Sequence, residues 1–277
     1  MTQTVAIQGF AGSFHQIAAQ HYFGRAVTVY SCATFAEVVR QVASGEAACG
    51  LMAIENSIAG SILPNYRLLQ QAALQITGEV YLQIRQHLVL LPGQTLADVR
   101  EVRSHPMALL QCTDFLSRHP HWRLVETEDT ALSARHIQEQ QLAGVAAIAG
   151  ELAAQLFGLD IVAPDIHSAA DNYTRFLVVE RAGHAQLSSE QHNKSSLYFH
   201  TAHRRGSLAE VLTRIAACGI NLSKLQSFPR PGTTWEYYFH ADLEFEQPED
   251  FQQALASLNE VAESVRVLGI YHKGQTY

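Results

Sequence analysis

Two short polar stretches carry side chains suited to moving a proton and holding an acid. The first is Asp171-Asn172-Tyr173-Thr174-Arg175-Phe176, which leads into the apolar run Phe176-Leu177-Val178-Val179. The second is Glu55-Asn56-Ser57, which follows the apolar run Leu51-Met52-Ala53-Ile54. A polar cluster at the end of an apolar strand is where a rigid scaffold presents reactive groups. Asn172 and Thr174 are two apart, so a strand turns them to one face and Arg175 to the other. A turn followed by an ordinary strand start accounts for the first stretch equally well when it is taken alone. The chemistry on offer is a hydroxyl donor in Thr174, a carboxyl in Glu55 that burial could make an acid, and amides in Asn56 and Asn172. Arg175 could grip a carboxylate bidentately, although strand alternation favours a structural ion pair equally.

Two further places suit anions. Gly9-Phe10-Ala11-Gly12-Ser13-Phe14 follows a short strand, and Ser13 with Gln16 forms a capping box. Strand, glycine turn and capped helix put free N–H groups at a strand end. A dinucleotide fingerprint needs a third glycine and a later acid, which are lacking, so a small carboxylate or phosphate fits better. Ser104-His105-Pro106 opens a second helix start, with proline suited to the first helical position.

The elements that must position these residues alternate. Strands at 4–8, 27–30 and 48–54 and helices at 13–22, 34–43 and 64–73 form one βα series. Thr34 with Glu37 is another capping box. An apolar run over 76–91 is too long for one ordinary strand and is expected to cross into a second lobe. There, strands at 99–104, 124–126 and 145–148 alternate with helices at 106–117, 129–140 and 151–157. The chain returns near Ser168. The pattern predicts two parallel-sheet lobes with a hinge and cleft, of the periplasmic-binding-protein type II kind. A polar stretch from 182 to 193 reads as a linker. Beyond it, the order βαββαβ over 194–277 predicts an α+β ferredoxin-like module, with Pro229-Arg230-Pro231-Gly232 as a turn and 235–245 as a strand. The expected boundaries are 1–182 for the two-lobed region (lobe 1 about 1–80 and 168–182, lobe 2 about 81–167) and 194–277 for the module.

The 277 residues are 47% hydrophobic and 16% charged, with a net charge of −7, a globular composition. That balance argues against a nucleic-acid or membrane-surface partner. No apolar stretch is long enough to span a bilayer, and the N-terminus does not resemble a signal peptide. Cys32, Cys49, Cys112 and Cys218 lack metal-ligand spacing and read as reduced core residues of a cytoplasmic protein. The 14 histidines are scattered, so no metal site is expected.

In this order and on these strand ends, four motifs resemble one family. They are Gly9-Phe10-Ala11-Gly12-Ser13-Phe14; Ile54-Glu55-Asn56-Ser57 with Gly60; Ser104-His105-Pro106 with Ala108, Gln111 and Cys112; and Asn172-Tyr173-Thr174-Arg175-Phe176. The chain resembles prephenate dehydratase over its full length, with an ACT regulatory module at the C-terminus. The resemblance implies a carbon–oxygen lyase that converts prephenate to phenylpyruvate, CO2 and water in phenylalanine biosynthesis, with no cofactor. It implies Thr174, Glu55 and Asn172 as catalytic, Thr174 being essential. It implies Ser13, Phe14, Asn56, Ser57, Ser104, His105, Gln111, Arg175 and Phe176 as substrate-binding, all lining one cleft. Gly206-Ser207-Leu208 and Gly219-Ile220-Asn221-Leu222-Ser223 match the ACT pattern. They imply an L-phenylalanine site that includes Ser227, at the interface of a homodimer or homotetramer.

The sequence departs from that pattern in places. Phe10 and Ala53 stand for prolines, His15 for a hydroxyl residue and Met107 for a glutamine; these flank the polar residues. Gln226-Ser227-Phe228-Pro229 stands for Glu-Ser-Arg-Pro, which removes an acid and a base near the effector site. Two rival readings remain in the sequence: an arogenate dehydratase, and a non-catalytic sensor carrying an ACT module.

Overall fold

In a computed structural model, residues 4–183, 192–230, 232–234 and 236–277 are described. Most of the linker expected over 182–193 lies outside them, as do Pro231 and Trp235 of the expected turn and strand.

The first lobe is built on β1 (Thr4–Gln8), β2 (Thr28–Cys32), β3 (Cys49–Asn56), β4 (Gly60–Ser61), β5 (Leu74–Gln83) and β11 (Tyr173–Arg181). Its sheet runs β2-β1-β3-β11-β5, with β4 beside β3. The second lobe carries β6 (His87–Leu90), β7 (Glu101–Ser104), β8 (Arg123–Glu126), β9 (Val145–Ala149) and β10 (Asp160–Ala163), in the order β10-β6-β9-β7-β8. Helices α1 (Phe14–Phe23), α2 (Phe35–Ser44) and α3 (Leu63–Gln71) belong to the first lobe. Helices α4 (Pro106–Gln111), α5 (Thr113–Leu116), α6 (Thr130–Glu139) and α7 (Glu151–Phe157) belong to the second. The architecture is the two-lobed α/β arrangement expected.

The sheets differ from the expectation in being mixed. β11 lies antiparallel between β3 and β5, and β6 is antiparallel to β9 and β10. The reason is topological: a strand that returns to a sheet from another lobe enters against the βα direction. The long apolar run is two strands, β5 and β6, separated by Ile84-Arg85-Gln86 at the crossing. There the two connections hold each other, Ile84 N–H donating to Asn172 O at 2.7 Å and Ile166 N–H to Gln86 O at 2.8 Å. The helix expected over 106–117 is likewise broken at Cys112 into α4 and α5.

The lobes touch directly at one side of the cleft. A Cβ on Gly12, whose φ is +88°, would stand 2.9 Å from Ala153 Cα, so only glycine allows this approach of α1 to α7.

The C-terminal module has β12 (Lys194–His200), α8 (Ser207–Ala217), β13 (Asn221–Pro229), β14 (Tyr237–Glu244), α9 (Pro248–Val261) and β15 (Ser264–Tyr271), in the sheet order β13-β14-β12-β15. One sheet face packs Leu197, Phe199, Ala241 and Leu243 against Val211 and Ile215 of α8 and Phe251 and Leu258 of α9. The other packs Tyr198, Phe228, Tyr238 and Tyr271 against Tyr66, Ile76, Leu177 and Val179 of the first lobe. Residues 275–277 then continue the first sheet beyond β5, with Tyr81 N–H donating to Gln275 O at 3.0 Å.

A buried charge network locks this junction. Arg175 Nε donates to Glu79 Oε2 at 2.7 Å, and the same guanidinium pairs with Asp242 of β14. Lys194 of β12 reaches Glu79 Oε1 at 2.9 Å, and Ser196 Oγ donates to Asp242 Oδ1 at 2.5 Å. Burial alone would raise the Asp242 carboxyl, but Arg175 and His240 outweigh it and hold it well below the usual carboxylate range. Removing one member leaves an uncompensated buried charge, which costs about 3–5 kcal/mol. Asp242→Asn is therefore expected to lower the denaturant-unfolding free energy by that order. A carboxyl depressed in the fold stabilises above its unfolded pKa and loses that effect as pH falls through the folded value. The gap between wild type and Asp242→Asn should narrow below about pH 4, where the unfolded carboxyl begins to take a proton. Urea titrations at neutral and acid pH measure both.

Candidate active site

Between the lobes lies a cleft of about 600 Å³. From the first lobe it is lined by Ser13, Phe14, His15, Thr34, Phe35, Ala53, Asn56, Thr174 and Phe176. From the second it is lined by His105, Met107, Ala108, Gln111, Glu128, Asp129 and Thr130, and from the crossing by Ile84 and Gln86.

Asn56 and Thr174 meet because β3 and β11 pair in register Thr174↔Asn56. Ordinary alternation would not put Ala53 and Asn56 on one face. A β-bulge does so: pairing passes from Arg175↔Glu55 to Phe176↔Ala53, leaving Ile54 as the extra residue. Asn56 Oδ1 accepts the backbone N–H groups of Ile58 at 3.0 Å and Ala59 at 2.9 Å. The amide is thereby oriented, and Nδ2 must face Thr174 and Asn172. It donates to Thr174 Oγ1 at 3.0 Å and to Asn172 Oδ1 at 2.8 Å. Thr174 Oγ1 accepts here, so its own proton is left for a partner in the cleft. Asn172 is fully buried behind this pair and does not line the cleft; its Nδ2 has no hydrogen-bond partner.

Three ten-residue helices begin at the cleft, capped by Ser13, Thr34 and Asp129. Helix starts carry partial positive charge and unpaired N–H groups, so Ser13 and Thr34 favour carboxylates in the first lobe. His105 caps the shorter α4. Its Nδ1 accepts Met107 N–H at 3.2 Å, so the ring proton sits on Nε2. His15 packs edge-on to Phe176 with ring centroids 5.0 Å apart, and burial lowers its pKa to about 4, keeping it neutral. Its Nε2 has no hydrogen-bond partner. No lysine or arginine lines the cleft among the described residues.

Several expected site residues lie elsewhere. Arg175 projects from the opposite face of β11 into the junction network and does not reach the cleft. Glu55 shares that opposite face, paired with Lys224 of β13, whose Nζ also donates to Ser61 Oγ at 2.7 Å. It is held by the C-terminal module rather than offered as an acid. Ser104 is buried with its hydroxyl given to Ile148 O at 2.7 Å. Ser57 pins the start of β11, donating to Asp171 O at 2.6 Å and accepting Tyr173 N–H at 2.9 Å. Ser13, Phe14, His105, Gln111 and Phe176 do line the cleft. So do His15, Ala53 and Met107, three departures expected only to flank the polar residues. Thr34 and Asp129 were visible as caps, but the sequence alone did not assign them to the site.

In the C-terminal module, Ser207 and Leu208 line a surface pocket with Arg204, Tyr237 and Phe239, whereas Asn221, Leu222 and Ser227 do not. Gly206 is the left-handed cap before α8. Phe228 is buried, stacked on Tyr238 and tilted against Tyr66 of the first lobe. Where the family pattern has an arginine, this chain has an apolar anchor between module and lobe.

The family model for prephenate dehydratase matches residues 5–184. The bifunctional chorismate mutase/prephenate dehydratase of Enterobacter agglomerans is 35% identical over 272 residues, covering 96% of this chain and 70% of the relative. The chain belongs to the prephenate dehydratase family. Among solved structures, the prephenate dehydratase of Arthrobacter aurescens in complex with L-Phe superposes with a TM-score of 0.85 at 28% identity, covering 97% of this chain and 90% of that one. GqqA, described as a novel type of quorum quenching acylase, superposes at 0.88 with 31% identity, covering 98% of each chain. Among the described residues no cluster of histidine, cysteine or acidic side chains could hold a metal, and no helix is long and apolar enough to cross a membrane.

The orientation of the Asn56 amide makes a sharp expectation. In Asn56→Asp, one carboxylate oxygen keeps the Ile58 and Ala59 N–H groups while the other accepts the Thr174 proton. The hydroxyl then turns from the cleft, and prephenate turnover should fall by about 10²-fold or more, with the melting temperature little changed. Undiminished turnover would detach Thr174 from Asn56.

Proposed function

We propose that the cleft eliminates water and carbon dioxide from prephenate, with the Thr174 hydroxyl as hydrogen-bond donor to the departing hydroxide. The bond from ring to carboxylate breaks, and its electron pair closes the aromatic ring. The ring–hydroxyl bond breaks, and hydroxide takes one proton to leave as water. Aromatisation drives the reaction, so the protein has to position the dianion and assist the leaving group. The observation that carries this is the free Thr174 proton facing a cleft whose first-lobe wall holds two helix starts. Ser13 and Thr34 hold carboxylate there, Phe14 and Phe176 pack on the ring, and Asn172 keeps Asn56 in place. A positioned donor is worth about 10²–10⁴-fold.

The similarity to a described acylase makes amide hydrolysis the reading to weigh against this one. A threonine nucleophile needs a base to take its proton. Thr174 Oγ1 instead accepts from an amide, and no hydrogen bond to a histidine or carboxylate is made among the described residues. That favours the donor role.

The test is phenylpyruvate formation in Thr174→Ser, Thr174→Ala and Thr174→Val. Serine should retain most activity, while alanine and valine lose about 10²–10⁴-fold. Full activity in valine would remove the hydroxyl from the mechanism.

We also read residues 194–277 as an ACT module through which L-phenylalanine acts on a cytoplasmic homo-oligomer. Matches at Gly206, Ser207 and Leu208 support this, as does the direct seat of the module on β11. Saturating L-phenylalanine is expected to change both KM and sedimentation. If neither moves, this chain lacks the effector response.

A further inference from the structure

Gln86, at the crossing between the lobes, combines a fixed backbone with an unused acceptor. Its N–H donates to His167 Nδ1 at 3.4 Å, and its carbonyl accepts Ile166 N–H at 2.8 Å. The side chain is 2% exposed and lines the cleft. Its Nε2 donates to Gln111 Oε1 at 3.4 Å, longer than an ordinary bond of this kind, so the amide is not held hard. Its Oε1 is buried and meets no donor among the described residues. A buried carbonyl without a donor costs free energy, and native folds keep few of them. One that belongs to a cleft is complementary to a ligand that brings the donor.

Prephenate brings only one. In the dianion the two carboxylates and the ketone accept hydrogen bonds, and the ring hydroxyl alone donates. We propose that Gln86 Oε1 accepts the proton of that hydroxyl, and that Gln86 thereby orients the leaving group toward Thr174. This rests on the dehydratase reading. Orientation matters because Thr174 Oγ1, which accepts from Asn56 Nδ2 at 3.0 Å, keeps a second lone pair. An unheld substrate hydroxyl can donate to that lone pair, and its own oxygen then lacks a donor. With its proton on Gln86, the hydroxyl turns a lone pair to Thr174 and receives the Thr174 hydrogen bond as the carbon–oxygen bond breaks. The bonding pair goes to oxygen, the hydroxyl's own proton stays with it, and one further proton on the Thr174 side completes water.

The experiment uses two ring-saturated analogues of prephenate, one with the ring hydroxyl and one with hydrogen in its place; neither can aromatise. Calorimetry gives their Kd values in the wild type, Gln86→Met and Gln86→Glu. Methionine keeps the length of the side chain and removes the acceptor, whereas glutamate keeps the acceptor. The wild type should prefer the hydroxyl analogue, and Gln86→Met should lower that preference by about tenfold, the effect of one hydrogen bond. A merely structural role would weaken both analogues alike and leave the ratio unmoved. Gln86→Glu should bind both dianions more weakly by charge repulsion and still prefer the hydroxyl. For prephenate itself, kcat should fall by about tenfold in Gln86→Met. Thermal melting checks the fold, and if the methionine variant does not fold, the glutamate variant decides. An unchanged preference in Gln86→Met, or a preference lost in Gln86→Glu, overturns the assignment while leaving the dehydratase intact. Failure of the wild type to form phenylpyruvate overturns the dehydratase reading as well.

Discussion

Consecutive residues of β11 face opposite ways, and that alternation divides the labour of the protein. Thr174 faces the cleft, and Arg175 faces the C-terminal module. A guanidinium buried at this depth is tolerable only because Glu79 and Asp242 meet it from two different sheets. The strand that carries the hydroxyl is therefore held by an ion pair to a module outside the catalytic lobes. Glu55 repeats the arrangement on β3, beside Asn56 and tied to Lys224. Both strands that form the Asn56–Thr174 contact are thus clamped from behind by the same module. Any displacement of that module has a physical route to the hydroxyl through a single peptide unit.

This arrangement explains which parts of the site were legible in the sequence. Apolar runs ending in amides and hydroxyls located Asn56, Asn172 and Thr174, because a strand end is a local feature. The anion-favouring turn before Ser13 and the helix start at His105 were legible for the same reason. The βα alternation gave both lobes, but not the antiparallel entry of β11, which depends on how the chain returns. The roles expected of Glu55 and Arg175 failed for related reasons. Arg175 had the right parity for a structural pair, but its partner Asp242 lies 67 residues away in sequence. Glu55 had the parity of Arg175, opposite its neighbour Asn56, and its partner Lys224 lies 169 residues away in sequence, while the bulge at Ile54 hid the arrival of Ala53 on the cleft face. Asp129 and Thr34 were visible as caps. Their shared destination at the cleft needed the lobes to be brought together.

The departures from the family pattern become intelligible in the same terms. Ala53, His15 and Met107 form part of the cleft surface, so they alter its shape and polarity while leaving the Asn56–Thr174 pair untouched. His15 adds a neutral ring against Phe176 rather than a charge, in keeping with a cleft that has no lysine or arginine lining it among the described residues. Phe228 exchanges a charged position for an aromatic contact with Tyr66 and Tyr238, adding apolar area to a junction already held by ions.

With no lysine or arginine lining the cleft among the described residues, an anionic substrate is held by backbone dipoles and hydrogen bonds, and this has a mechanistic consequence. Helix starts are fixed in the scaffold and need no reorganisation as charge moves during the reaction. Elimination from a ring acid shifts negative charge from the departing carboxylate toward the departing hydroxide. A mobile lysine paired to that carboxylate would stabilise the ground state and resist the loss of CO2. Dipoles that hold the side-chain carboxylate, with a neutral hydroxyl donor at the leaving group, stabilise charge where it arrives rather than where it begins. The exclusion of Arg175 from the cleft, at first sight a missing ligand, is consistent with the chemistry the cleft has to perform.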